Sequence, residues 1–156
     1  MALLIKKFGG TSVGDLQKIK NIAKHISISR EAGNDIVIVV SAMGNKTDEL
    51  THMAHSISSN PHKRELDMLL STGEQITSAL LSIALNEYGI PAVSMTGSQV
   101  EIITESLHGK ARILEIKTEF QGELNDTLWN GIMIPLYSSE YDQSESKYLD
   151  IWLNAN

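Results

Sequence analysis

The stretch KKFGGTSVGD, residues 6 to 15, puts basic residues before two glycines, two hydroxyls and a third glycine. Such a set suits an anion. Glycines let the backbone approach a phosphate closely, and successive N–H groups at the start of a helix point positive charge toward it. Lys7 adds a full charge beside Gly9, Gly10, Thr11, Ser12 and Gly14. The order matches neither common nucleotide loop, because the lysine precedes the glycines and their spacing is G-G-x-x-x-G. Spacing alone leaves two readings open: a phosphate cradle, and a plain turn from strand to helix. Lys6 serves as the internal control, since alternation along a strand turns it to the face opposite Lys7.

Two further stretches could carry chemistry. In VVSAMGNKTDEL, residues 39 to 50, Ser41 follows an apolar run and Thr47 stands at the expected start of a helix. Ligands of doubly wound sheets sit at the carboxyl ends of the strands, where Ser41 would lie. The plainer reading is that Thr47 caps its helix and Ser41 fills a tight turn. In STGEQ, residues 71 to 75, a glycine interrupts a helical pattern. It costs up to about 1 kcal/mol relative to alanine, so it calls for a reason, such as close approach of a ligand or another backbone. Here the alternative is that Glu74 faces solvent and Gly73 eases helix packing. The histidines at 25, 52, 55, 62 and 108 show no metal-ligand spacing, and no metal site is expected. They read as surface residues, and Trp129 and Trp152 as packing residues.

The elements that must position these residues alternate in period. ALLI (2 to 5) with Phe8 reads as a buried strand ended by Gly9-Gly10. From Asp15, a plausible N-cap, Leu16, Ile19, Ile22, Ala23 and Ile26 recur at helical spacing up to Gly33. IVIVV, 36 to 40, is a continuous β-branched run of the kind covered on both faces in a parallel sheet. One helix is expected from near Thr47 and a longer one over 63 to 88, with Leu66, Leu69, Leu70, Ile76, Ala79, Leu80 and Ile83 on its marked face. Strands are expected at AVSMT (92 to 96) and IMIPLY (132 to 137), with a strand and helix over 111 to 130. Strands alternating with helices imply βαβ units and an α/β sandwich with a mainly parallel sheet.

Composition narrows the function classes. The chain has 156 residues, about one domain, and is 42% hydrophobic and 21% charged, as globular domains are. A net charge of -6 argues against nucleic acid or an anionic membrane as partner. Without cysteine, thiolate chemistry is excluded. No secretory signal and no apolar run of the ~20 residues that span a bilayer is seen, so a cytoplasmic location is expected.

Taken in order, KFGGTSVG, VVSAMGNKTDEL, LLSTGEQITSALLSIAL and SMTGSQ, with His108 and ARI after them, resemble the aspartate kinases over residues 4 to about 116, and more weakly to about 136. The resemblance implies the amino-acid kinase fold, a three-layer αβα sandwich, of which this would be the N-terminal portion. It also implies ATP, with Mg2+, as phosphoryl donor to the side-chain carboxylate of aspartate, the step that opens lysine, threonine and methionine synthesis. Carried over by position, Lys7 would be catalytic and bind the transferring phosphate with Gly9, Gly10, Thr11 and Ser12. Ser41, Thr47 and Glu74 would bind aspartate, with Glu74 toward its amino group. A homo-oligomer or a kinase subunit is the implied assembly.

Aspartate kinases carry GFQG-type and GRGGSD-like segments after the last strand found here. In this chain IMIPLY runs instead into SSEYDQSESKYLDIWLNAN. The expectation is therefore a substrate-side half over 1–137 followed by an atypical tail over 138–156, inactive alone. The alternative is a non-catalytic short paralogue or fragment that binds aspartate or a partner kinase subunit. An incomplete sheet would expose an apolar edge and favour self-association.

Overall fold

The computed structural model describes residues 2–116 and, as backbone, 132–135. The part of the expected strand and helix over 111 to 130 that follows residue 116, both tryptophans, the boundary at 137 and the tail lie outside those residues.

The continuous apolar run expected to be doubly covered is β2 (Asp35–Val40), and it is buried along Ile36 to Val40. It pairs in parallel with β1 (Leu3–Phe8), Leu4 opposite Ile36 and Phe8 opposite Val40. Asp15 starts α1 (Leu16–Glu31) by accepting the Lys18 N–H at 2.8 Å. Gly33 ends the turn at φ 85°, where a side chain is unfavourable. α2 (Lys46–Ile57) packs on α3 (Lys63–Glu87), and β3 (Val93–Ser94) follows. β4 (Ile102–Thr104) and β5 (Ile113–Ile116) form a separate antiparallel pair. β6 (Ile132–Pro135) then inserts between β2 and β3, giving a four-stranded parallel sheet in the order β1-β2-β6-β3.

One face of the sheet is covered by α1 and α3. Ile19, Ile22, Ala23 and Ile26 of α1, with Leu81 and Leu85 of α3, close over Ile36, Ile38 and Val40. Each such side chain contributes about 1.5–3 kcal/mol when fully buried. Lys6 points to this face and donates to Ser29 Oγ of α1 at 2.7 Å, whereas Lys7 is exposed. The alternation expected of the two lysines is therefore present.

α3 spans the expected residues, but its expected face turns inward only in part: Leu66, Leu69, Leu70, Ala79 and Leu80 are half-buried, with Leu80 against the core, and the two isoleucines are not. Ile76 is 46% and Ile83 65% exposed. The buried face is Ser71, Gly73, Glu74, Thr77, Ser78, Leu81, Ser82 and Leu85. Small side chains permit the close approach of α1, α2 and the loop after β2, so proximity, together with the apolar Leu81 and Leu85, selects the inward face. By length and composition α3 could cross a bilayer, yet 44% of its most apolar window is buried inside the fold.

β4 has no counterpart among the expected elements, and among the described residues β3 is followed by the antiparallel β4–β5 pair rather than by a helix. The turn between β4 and β5 is tied to α3 through Asp67. Its Oδ2 accepts the Gly109 N–H at 3.0 Å and lies 3.0 Å from His108 Nδ1. His108 is exposed, as expected, but it has this structural partner.

Candidate active site

At the carboxyl end of β1 the chain turns tightly on one carbonyl. Gly9 O accepts the N–H groups of Ser12 at 2.9 Å and Val13 at 3.3 Å. Val13 is fully buried and anchors the turn to the core, while Thr11 and Ser12 stay exposed. The two adjacent glycines are glycine for different reasons. A Cβ on Gly9 would meet nothing within 4 Å, whereas one on Gly10 would stand 2.9 Å from Ala42 O and 3.4 Å from Gly44 O. Gly10 O also accepts the Gly44 N–H at 3.0 Å. Gly10 thus locks the first loop onto the loop after β2, and Gly9 leaves an open approach.

Ser41 continues the ladder by donating its N–H to Phe8 O at 3.2 Å, and it is half-buried. Gly44 takes φ 51°, which lets the loop reverse into α2. The N-cap of α2 is Asn45, and it makes no side-chain cap bond. Thr47 therefore lies inside the first turn, half-buried, and the idea that it only caps the helix does not hold. Lys46 Nζ meets Glu49 Oε2 at 2.5 Å across the exposed side of the same turn.

Gly73 supplies the close approach that its place in a helix demanded. A Cβ there would stand 3.0 Å from Ala42 Cβ, and 3.6 Å from both Leu50 Cδ1 and Lys46 Cγ. α3 consequently presses against the loop after β2 and the start of α2. Glu74 is 7% exposed rather than solvent-facing. Burial pushes its carboxyl above the ordinary value near 4.5; hydrogen bonds from its own N–H and that of Ala42 pull it part of the way back.

Ala42, which sequence reasoning passed over, is the meeting point. It is 2% exposed, its carbonyl abuts Gly10, its Cβ abuts Gly73, and its N–H bonds Glu74. Around it the fold brings Ser41, the Thr47 turn, Glu74 and the glycine-rich loop to one end of the sheet. Lys7 is the next-to-last residue of the adjacent strand, on the face opposite Lys6. A small residue between a serine and a methionine gives no sequence signal for such a role. The fold also forms a groove outside this convergence, lined by Pro61, His62, Lys63, Ser106 and His108, and it contains none of the expected site residues.

Glu74→Gln tests the burial. A carboxyl raised by the fold stabilises it fully below the unfolded value, and that contribution is lost as pH rises through the folded one. Wild-type stability should thus decline above pH ~4.5 relative to Glu74→Gln, whose amide oxygen can still accept from Ala42. At pH 7 the variant is expected to be the more stable of the two, read as the higher melting temperature. Parallel stability–pH curves for the two proteins would contradict the buried, raised carboxyl.

The sequence profile of the amino acid kinase family matches residues 2–143. The chain belongs to the amino acid kinase family. Within it, the aspartokinase of Bacillus sp. (strain MGA3) is 54% identical over 127 residues, covering 81% of this chain and 31% of that protein. Aspartate kinase from Synechocystis superposes with a TM-score of 0.65 at 43% identity, covering 85% of this chain and 21% of that one. E. coli aspartokinase III, solved with aspartate and ADP, gives a TM-score of 0.61 at 18% identity, covering 85% and 40%, a likeness of fold. The amino acid kinase fold, an α/β fold on a parallel sheet, is thus the architecture here. The chain spans about a third of the length of the curated relatives it matches.

Proposed function

We propose that this chain carries the acceptor side and phosphate loop of an aspartate kinase. The observation that carries the reading is the convergence around Ala42: a buried Glu74, half-buried Ser41 and Thr47, and the glycine-rich loop at one sheet end. Similarity to aspartokinases supports the choice of substrate. In the proposed reaction an oxygen of the aspartate side-chain carboxylate attacks the γ-phosphorus of ATP. The bond to the bridging oxygen breaks, ADP leaves, and aspartyl phosphate forms. The carboxylate is already nucleophilic, so the protein's task is positioning and charge stabilisation.

In this proposal Glu74 receives the amino group of aspartate, with Ser41 and Thr47 donating hydroxyls to its polar atoms. Lys7, with the backbone at Gly9 and Gly10 and the exposed Thr11 and Ser12, receives the phosphate. Among the described residues no group of three or more His, Cys, Asp or Glu side chains placed to hold a metal ion stands together. Magnesium enters the proposal only on the nucleotide. The proposed unit runs over 1–137 with 138–156 as a tail, works in the cytoplasm, and associates with a second copy or another kinase subunit.

The test is a titration of the chain with L-aspartate and, separately, with succinate, which lacks the amino group. Amide shifts at Ser41, Thr47 and Glu74 are followed. Aspartate is expected to bind at least ~10-fold tighter, and Glu74→Gln to erase the difference, because an ion pair to a buried carboxylate is among the stronger contacts available. Equal binding of the two acids, or shifts that avoid these residues, would sink the assignment.

A further inference from the structure

Lys18 was not among the residues that spacing singled out, yet its side chain crosses the glycine-rich loop. It lies in the first turn of α1, and its Nζ reaches back to donate to Thr11 O at 3.0 Å. Asp15, the cap of that turn, binds the Lys18 N–H at 2.8 Å through Oδ1 and places Oδ2 3.9 Å from Nζ. A Cβ on Gly14 would stand 3.6 Å from Nζ, and 3.3 and 3.4 Å from the carbonyl oxygens of Thr11 and Gly10. A longer side chain at position 14 would grow into the space the lysine uses.

The chemistry of an anion loop makes this contact meaningful. Carbonyl oxygens repel a phosphate, and N–H groups attract it. Thr11 C=O and Ser12 N–H belong to one planar peptide unit, so they cannot turn independently. Ser12 N–H is held by Gly9 O at one side of that plane, and Thr11 O is held by Lys18 at the other. We propose that Lys18 is a positioning residue that clamps the Thr11–Ser12 peptide, masks its carbonyl from an incoming nucleotide phosphate, and adds an ammonium to the loop. The nucleotide part rests on the phosphate reading above; the clamp does not.

The experiment uses the full 156-residue chain with Lys18→Met and Lys18→Arg. Without any ligand, amide hydrogen exchange is measured at Ser12 and Val13. Lys18→Met is expected to speed exchange about 10-fold, and Lys18→Arg, which keeps a charged donor, to restore it to within about 3-fold. Unchanged exchange in Lys18→Met overturns the clamp. Affinity for ATP is then measured across salt concentrations. Lys18→Met is expected to bind about 10-fold more weakly with a shallower salt dependence. Faster exchange with wild-type ATP affinity overturns the masking role. A wild-type chain that does not bind ATP overturns the phosphate reading and the masking role with it, while the exchange data still decide the clamp.

Discussion

Lys7→Ala is expected to cost the chain about 10- to 100-fold in affinity for ATP, and to lower any aspartyl hydroxamate trapped with hydroxylamine by about 10²–10³. The first figure follows from losing one charge-assisted contact, worth ~1.5–3 kcal/mol. The larger one applies where a fixed charge acts on a transferring group. Lys6→Ala provides the matched control, because the two residues share charge, strand and neighbourhood. Lys6 faces α1 and donates to Ser29 Oγ at 2.7 Å, so its loss should cost about 1 kcal/mol of stability and leave ATP affinity unchanged. Lys7 lies on the exposed face at the carboxyl end of β1, next to the loop. Equal losses of affinity in the two variants would mean that general positive charge, not the placement of Lys7, draws the nucleotide. Unequal losses with the larger at Lys6 would reverse the orientation argued for the strand.

Alternation and periodicity made much of this fold legible. IVIVV announced a doubly covered strand because β-branched runs lack a polar face, and Asp15 and Gly33 bracketed α1 through chemistry that acts within a few residues. The inward face of α3 was not legible in the same way. Its isoleucines suggested one side, but the side that faces in carries Ser71, Gly73, Thr77 and Ser78, where bulk would hold its neighbours away. Hydrophobic periodicity reports transfer energy and is blind to how near the partner comes. β4 escaped for another reason. Its three residues are too short for a period, and the stretch 105–112 that separates it from β5 is too long for the short-loop hairpin signal.

The candidate site divides similarly. Its glycines and polar residues stood out by type, and the family resemblance ordered them. What those residues touch depended on contacts between segments far apart in sequence. Spacing alone leaves Glu74 open between a ligand site and the solvent, and α3 presses it under the loop that holds Ala42. Gly73 had been flagged by its cost in a helix, and its close neighbour proved to be protein. Lys18 and Ala42 carry no signal by type, since a lysine in a first turn and a buried alanine are both ordinary.

Gly10→Ala and Gly9→Ala are expected to part company completely. In Gly10→Ala the new methyl must sit 2.9 Å from the carbonyl oxygen of Ala42, a backbone atom held on a residue only 2% exposed. Neither side can yield without moving the loop after β2 away from the glycine-rich turn, which also threatens the 3.0 Å bond from Gly44 N–H to Gly10 O. Overpacking of about 1–3 kcal/mol and a lost hydrogen bond of about 1 kcal/mol sum to roughly 2–4 kcal/mol. That is a large part of the ~5–15 kcal/mol that holds a domain together. A fall in melting temperature of ~5–15 °C is the expected reading. Gly9→Ala has open space around its methyl, so its stability should stay within about 0.5 kcal/mol of wild type. Its effect should appear in ligand binding, as about a 10-fold weaker affinity for ATP, because the methyl occupies the open side from which a phosphate would approach the backbone. The pair therefore separates two reasons for a glycine that sequence alone cannot tell apart. A Gly10→Ala protein as stable as wild type would show that the two loops are not locked together. A Gly9→Ala protein with undiminished ATP affinity would show that the open side of the turn is not where the phosphate comes in.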